Sequence, residues 1–142
     1  MLFTQDRTRT REQYRRAWRK HLACDALEPL ERQIVSLIEE HPEYHALMTT
    51  RDDVIDRDFT AADGAENPFL HLALHLALRE QVGTDRPSGI ATLTRSLLLA
   101  NGNGHEVEHR MMQCLGECLW DAQRQGRAPD EAEYLERLRH LL

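Results

Sequence analysis

Six of the eight histidines stand in pairs four residues apart: His41 with His45, His71 with His75, and His105 with His109. On an α-helix this spacing puts both imidazoles on one face, about 6 Å apart at Cβ, where two ring nitrogens can converge on one ion. The three settings differ. Pro42 falls inside the first pair, so spacing alone does not put His41 and His45 on one helix. The second pair lies in FLHLALHLALRE, residues 69–80, where nearly every residue is apolar. A helix that is hydrophobic on all sides belongs at the centre of a bundle, so His71 and His75 cannot simply face water. A buried imidazole needs a partner for each ring nitrogen, and a metal ion with an acceptor behind the ring would supply both. The third pair lies in HEVEH, residues 105–109, at the edge of an apolar stripe of Met111, Met112, Leu115, Cys118, Leu119 and Ala122. At about 100° per residue, Glu108 falls near the middle of that stripe, and a carboxylate aimed at a core wants a cation or a proton.

His71, His75, His105, His109 and Glu108 therefore form a nitrogen-rich candidate site with one carboxylate, suited to a divalent transition metal: zinc, iron, manganese or nickel. The same residues admit another reading, a buried polar network satisfied by carboxylates such as Glu108 or Glu66, by carbonyls, or by the complementary tautomers of neighbouring rings. A further alternative is hydrolytic. His105, Glu106 and His109 satisfy HExxH, in which two histidines hold zinc and the glutamate activates a water. Zincins set that helix beside a sheet edge that holds the peptide, whereas strand signals are almost missing here, and Glu106 falls away from the apolar stripe. No residue is assigned a catalytic role, and whether the protein is an enzyme stays open.

The elements that must carry these residues read as helices. No period-2 alternation or hairpin signature is sustained anywhere. The first helix is predicted from Thr8 or Thr10 to about Cys24, with Tyr14, Ala17, Trp18, His21 and Leu22 on one stripe. A second starts near Pro29 and carries Leu30, Ile34, Leu37 and Ile38 until Pro42, and a short piece, 42–48, follows it. Residues 51–66 are an aspartate-rich connection, expected to be exposed. Asn67 and Pro68 open the helix of the second histidine pair, which runs to about Val82. Ser88 is expected to cap a helix with Ile90, Leu93, Leu97 and Leu98 that ends at ANGNG. A longer helix runs from His105 to about Gln125, and a terminal one from Pro129 carries Tyr134, Leu135, Leu138, Leu141 and Leu142. The fold class is all-α, a bundle of five to six helices in a single domain, 1–142.

At 142 residues and 16.5 kDa the chain can bury roughly two thirds of its unfolded surface without a disulfide or metal staple. No apolar run approaches the roughly 20 residues of a membrane span, and the N-terminus lacks the order of a secretory signal. Cys24, Cys114 and Cys118 have neither disulfide nor CxxC spacing, and together these features point to the cytoplasm. The net charge of −6 argues against DNA binding. It is uneven: residues 1–21 hold Arg7, Arg9, Arg11, Arg15, Arg16, Arg19 and Lys20 against Asp6 and Glu12, a local +5 that leaves −11 elsewhere. Residues 1–25 thus form a basic amphipathic helix. Arg11, Arg15, Arg16 and Arg19 could meet RNA or an acidic protein partner in a non-enzymatic interaction module, or be a solvated face paired with Asp52, Asp53, Asp56 and Asp58.

ENPFLHLALHLALREQVGTDRPSGI followed by HEVEHRMMQCLGECLWDAQR resembles a proteobacterial family of small proteins described as a domain of unknown function. The resemblance runs from the Tyr14–Trp18 helix through Gln125 and implies a single cytoplasmic domain, with no activity or catalytic residue to carry over. In the spacing of the histidine pairs alone, the chain also resembles hemerythrin-like and DinB-like helical metal bundles.

Overall fold

The computed structural model describes residues 2–49 and 67–142, with side chains from residue 7 onward, and it is all-α. The acidic connection 51–66, the pairing of arginines with its aspartates, and Glu66 lie outside the described residues. Among the described residues there are seven α-helices and one 3-10 turn, and no strand: α1 Leu2–Leu22, α2 Pro29–Glu39, the 3-10 turn Pro42–Tyr44, α3 His45–Thr49, α4 Pro68–Thr84, α5 Ile90–Asn101, α6 Gly104–Arg124 and α7 Glu131–Arg139. None of these helices is long and apolar enough to cross a membrane. Contacts group the chain into two units, Met1–Ala73 and Leu74–Leu142, so α4 contributes its first turns to one and the remainder to the other.

In the first unit α1 packs on α2 and α3. It starts earlier than the cap residues Thr8 and Thr10 suggest. Its buried face is Arg11, Tyr14, Arg15, Ala17 and Trp18, so two of the arginines expected on a solvated or partner-binding face are interior, at 3% and 5% exposure; Arg16 and Arg19 are exposed. Arg11 lies 4.8 Å from the centre of the Phe69 ring, and Tyr14 stacks on the same ring at 6.3 Å. The guanidinium of Arg11 is thus held by an aromatic face, a favourable place for a cation withdrawn from water. Trp18 donates to Thr49 Oγ1 at 3.3 Å. Pro29 sits in the first turn of α2, where Glu31 accepts from the Glu28 amide at 2.9 Å and from Lys20 Nζ at 2.7 Å. Ile34, Val35, Leu37 and Ile38 form the buried side of α2.

The second unit is built on Leu78 of α4, Ile90, Leu93 and Leu97 of α5, Val107, Met111, Met112, Leu115 and Cys118 of α6, and Tyr134 and Leu138 of α7. Tyr134 closes the core with a 2.8 Å hydrogen bond to Gln81. Local chemistry sets the ends. Asn67 Oδ1 accepts from the Phe69 and Leu70 amides to open α4, Asn103 caps α6 and Asp130 caps α7. Ser88 is not the cap of α5: Asp85 Oδ1 takes the Gly89 and Ala91 amides at 3.1 and 3.0 Å, around a Gly89 held at φ +99°, where a side chain would be strained.

Several leucines assigned to apolar stripes are exposed: Leu22 at the end of α1, Leu142 beyond the end of α7, Leu30 in the first turn of α2, and Leu98 and Leu119 at the edges of their stripes. Helix α4 is likewise not apolar-buried all round, since Leu70 is exposed, while Phe69, Leu72, His75 and Leu78 make the inner face. Leu97→Ala should lower unfolding stability by about 2–5 kcal/mol, whereas Leu99→Ala, at an 88% exposed position, should change it by less than about 0.5 kcal/mol. Urea denaturation of the two variants checks both, and equal effects would show the assigned core to be misplaced.

Candidate metal centre

The first imidazole contact arises from how α2 ends. A continuing helix would send the residue 41 and 42 amides to the carbonyls of Leu37 and Ile38. Pro42 has no N–H, and the His41 amide goes to Ile38 at 3.0 Å in a tighter turn. Two imidazoles fill the gap: His41 Nδ1 meets the Leu37 carbonyl at 2.7 Å, and His45 Nε2 shares the Ile38 carbonyl at 2.8 Å. A carbonyl only accepts, so His41 carries its proton on Nδ1 and the neutral ring offers a lone pair at Nε2. That atom lies 3.0 Å from His71 Nε2. Tyr44 stacks on the His41 ring at 5.2 Å and meets His71 edge-on at 5.9 Å, fixing both planes. His45 turns instead toward Trp18, with ring centres 4.5 Å apart. The His41/His45 pair is therefore split, as Pro42 implied, and His41 is regrouped with His71.

The second contact lies in the C-terminal unit. His75 is fully buried, and its Nε2 lies 2.6 Å from Glu108 Oε2. One turn along α4, Arg79 reaches the same carboxylate with Nε to Oε2 at 3.1 Å and Nη2 to Oε1 at 3.3 Å. The i, i+4 spacing of His75 and Arg79 is what lets one helix grip one carboxylate of α6 twice. The ring of His109 stands edge-on to that of His75 at 5.8 Å, and the exposed His105 ring lies 4.0 Å from that of His109. Within each of the two pairs, His41 with His71 and His75 with His109, each residue brings a ring nitrogen within 4.8 Å of its partner's, close enough for both to reach one ion. Two nitrogens on one tetrahedral zinc are about 3.3 Å apart, given bonds of about 2.0–2.1 Å.

Of the residues singled out by spacing, His71, His75 and His109 each meet another imidazole, Glu108 meets His75, and His105 stands at the solvent edge. Glu106 is exposed and bound to Arg110 at 2.6 Å. Two participants escaped the sequence reading. His41 was visible only as half of a pair broken by Pro42, and Arg79 could have been found by its one-turn spacing from His75. Cys114 and Cys118 are free and buried, and burial pushes both thiols upward in pKa, which keeps them protonated and poor as ligands or nucleophiles.

The family model described as Domain of unknown function (DUF1841) matches residues 6–140 of the chain. No curated protein and no solved structure matches it.

Burial of Glu108 by itself would raise its pKa, but hydrogen bonds from His75 and Arg79, with the charge of Arg79, outweigh that and hold it at about 2. The folded value lies below the ordinary one, so this carboxylate stabilises the fold fully above about pH 4.5, and the contribution is lost as pH falls toward about 2. Its size is on the order of 2–3 kcal/mol. In metal-free protein, wild type should therefore lose more stability between pH 6 and pH 3 than Glu108→Gln does, by urea unfolding. Parallel pH profiles would remove the ion pair from the account.

Proposed function

We propose that this chain, which belongs to the DUF1841 family, holds a divalent transition-metal ion through imidazoles carried or met by α4. The donors proposed are His75 and His109 in the C-terminal unit, with His105 at the solvent edge, and His71 with its partner His41 in the N-terminal unit. The observation that carries the reading is that each α4 histidine meets a second imidazole, while protein acceptors hold the rings: the Leu37 carbonyl behind His41 and the Glu108 carboxylate behind His75. An acceptor behind the ring is how metal-binding histidines are held in tautomer and orientation. Zinc, iron, nickel and manganese are the ions to try. The similarity of spacing to hemerythrin-like and DinB-like bundles belongs to this reading. Free cysteines, one of them exposed, support a reducing, cytoplasmic setting.

The competing account uses the same contacts as a hydrogen-bonded histidine network with no ion, in a protein that works as an interaction module. The hydrolytic account loses support from Glu106, whose carboxylate is engaged by Arg110 at the surface.

Elemental analysis of protein purified without an affinity tag separates these accounts. The expected result is one equivalent of metal per chain, lost in the double variant His71→Ala/His109→Ala with helicity by circular dichroism retained. Protein that arrives without metal and takes up none of zinc, iron, manganese or nickel after dialysis ends the proposal; salt-sensitive RNA binding by that same protein would then favour the interaction module. Cleavage of peptides that is lost in Glu106→Gln while metal stays bound would make the hydrolytic account correct instead.

A further inference from the structure

We infer that Glu108 is not a ligand of the ion but the residue that orients His75 toward it, locked in that task by Arg79, so that the coordination sphere consists of neutral imidazoles. This rests on the metal reading above.

Both oxygens of Glu108 are already committed within the C-terminal unit. Oε2 receives His75 Nε2 at 2.6 Å and Arg79 Nε at 3.1 Å, and Oε1 receives Arg79 Nη2 at 3.3 Å. Oε2 has both lone pairs taken and Oε1 keeps one, so a metal ion bound to Oε1 would have to share the carboxylate with the Arg79 cation. Its bond to His75 has a directional consequence. A carboxylate accepts, so Nε2 of the neutral imidazole carries the proton and the lone pair sits on Nδ1. His75 therefore coordinates through Nδ1, with Glu108 behind it raising the basicity of the ring. Arg79 neutralises the carboxylate, and the ring is left without a competing anion. The ion keeps its double charge among uncharged nitrogen donors. Such a set suits zinc, nickel, cobalt or copper, and offers little to magnesium, calcium or manganese, which bind best to carboxylate and carbonyl oxygens.

Cobalt(II) is the probe. Wild-type protein, stripped by dialysis against chelator, is titrated with cobalt(II) and its visible d–d bands recorded, with zinc affinity measured by competition with a chromophoric chelator. Glu108→Gln should leave the band positions unchanged, because the same nitrogens stay bound, and should weaken zinc binding about tenfold, since glutamine's carbonyl still accepts from His75. Glu108→Ala should weaken it further, up to about 100-fold, without moving the bands. Weakened affinity with unmoved bands is a readout that loss of a ligand would not give, and the near-isosteric glutamine variant guards against misfolding. Shifted bands in Glu108→Gln would make Glu108 a ligand and overturn the inference while leaving the metal reading intact. Wild-type affinity in both variants would leave Glu108 with no part in the site and overturn it equally. Failure of the wild-type protein itself to bind cobalt(II) or zinc defeats the metal reading, and the inference falls with it.

Discussion

An imidazole cannot be taken fully out of water unless its nitrogens are matched, because each unmatched buried polar group costs on the order of 1–3 kcal/mol. His75 is fully buried. Much of the C-terminal unit around it follows from that constraint. Glu108 has to reach inward from α6 to meet the ring, and the carboxylate then needs its own compensation, which comes from Arg79 one turn further along α4. The three side chains form one unit of charge and hydrogen bonding, and removing any member strands the other two.

The N-terminal unit meets the same constraint by a different route. There the polar groups to be matched are the last carbonyls of α2, exposed by a proline that ends the helix. Histidines are well suited to that place, since a ring N–H can take an orphan carbonyl while the other nitrogen remains available. His41 uses one nitrogen on Leu37 and presents the other to His71. A residue with a structural duty is thereby also the one with a lone pair to offer. The structural and functional accounts of these histidines are not exclusive: the capping bond sets the geometry that any ligand would use.

How much of this the chain discloses depends on the range over which each signal acts. The Pro29 and Asn67 helix starts and the glycine stop after α5 are local and read correctly along the sequence, whereas α1 begins at Leu2, ahead of Thr8 and Thr10, and α7 at Glu131, capped by Asp130 and not opened by Pro129. The all-α class and the pairing of Glu108 with the histidine-bearing helices follow from periodicity. What periodicity cannot convey is which neighbour a side chain selects when two are available. Arg11 and Arg15 look like members of a solvated basic face, yet both are interior, Arg11 with its guanidinium over the Phe69 ring at 4.8 Å from the ring centre. His41 pairs with a residue 30 positions away and not with His45. The Ser88 cap was displaced by Asp85, whose carboxylate reaches two amides at once. For Arg11 and His41 a tertiary contact overrode a reasonable local choice, and at Ser88 a second local side chain did.

Helix α4 has 17 residues, and the division between contact units falls within it, after Ala73. Its backbone ladder links each amide to the carbonyl four residues earlier, so several of these bonds bridge the division. A chain severed there would leave raw helix ends on both fragments, with amides and carbonyls stripped of their mates. An insertion at that point would interrupt the amide-to-carbonyl ladder of α4 on both sides of it.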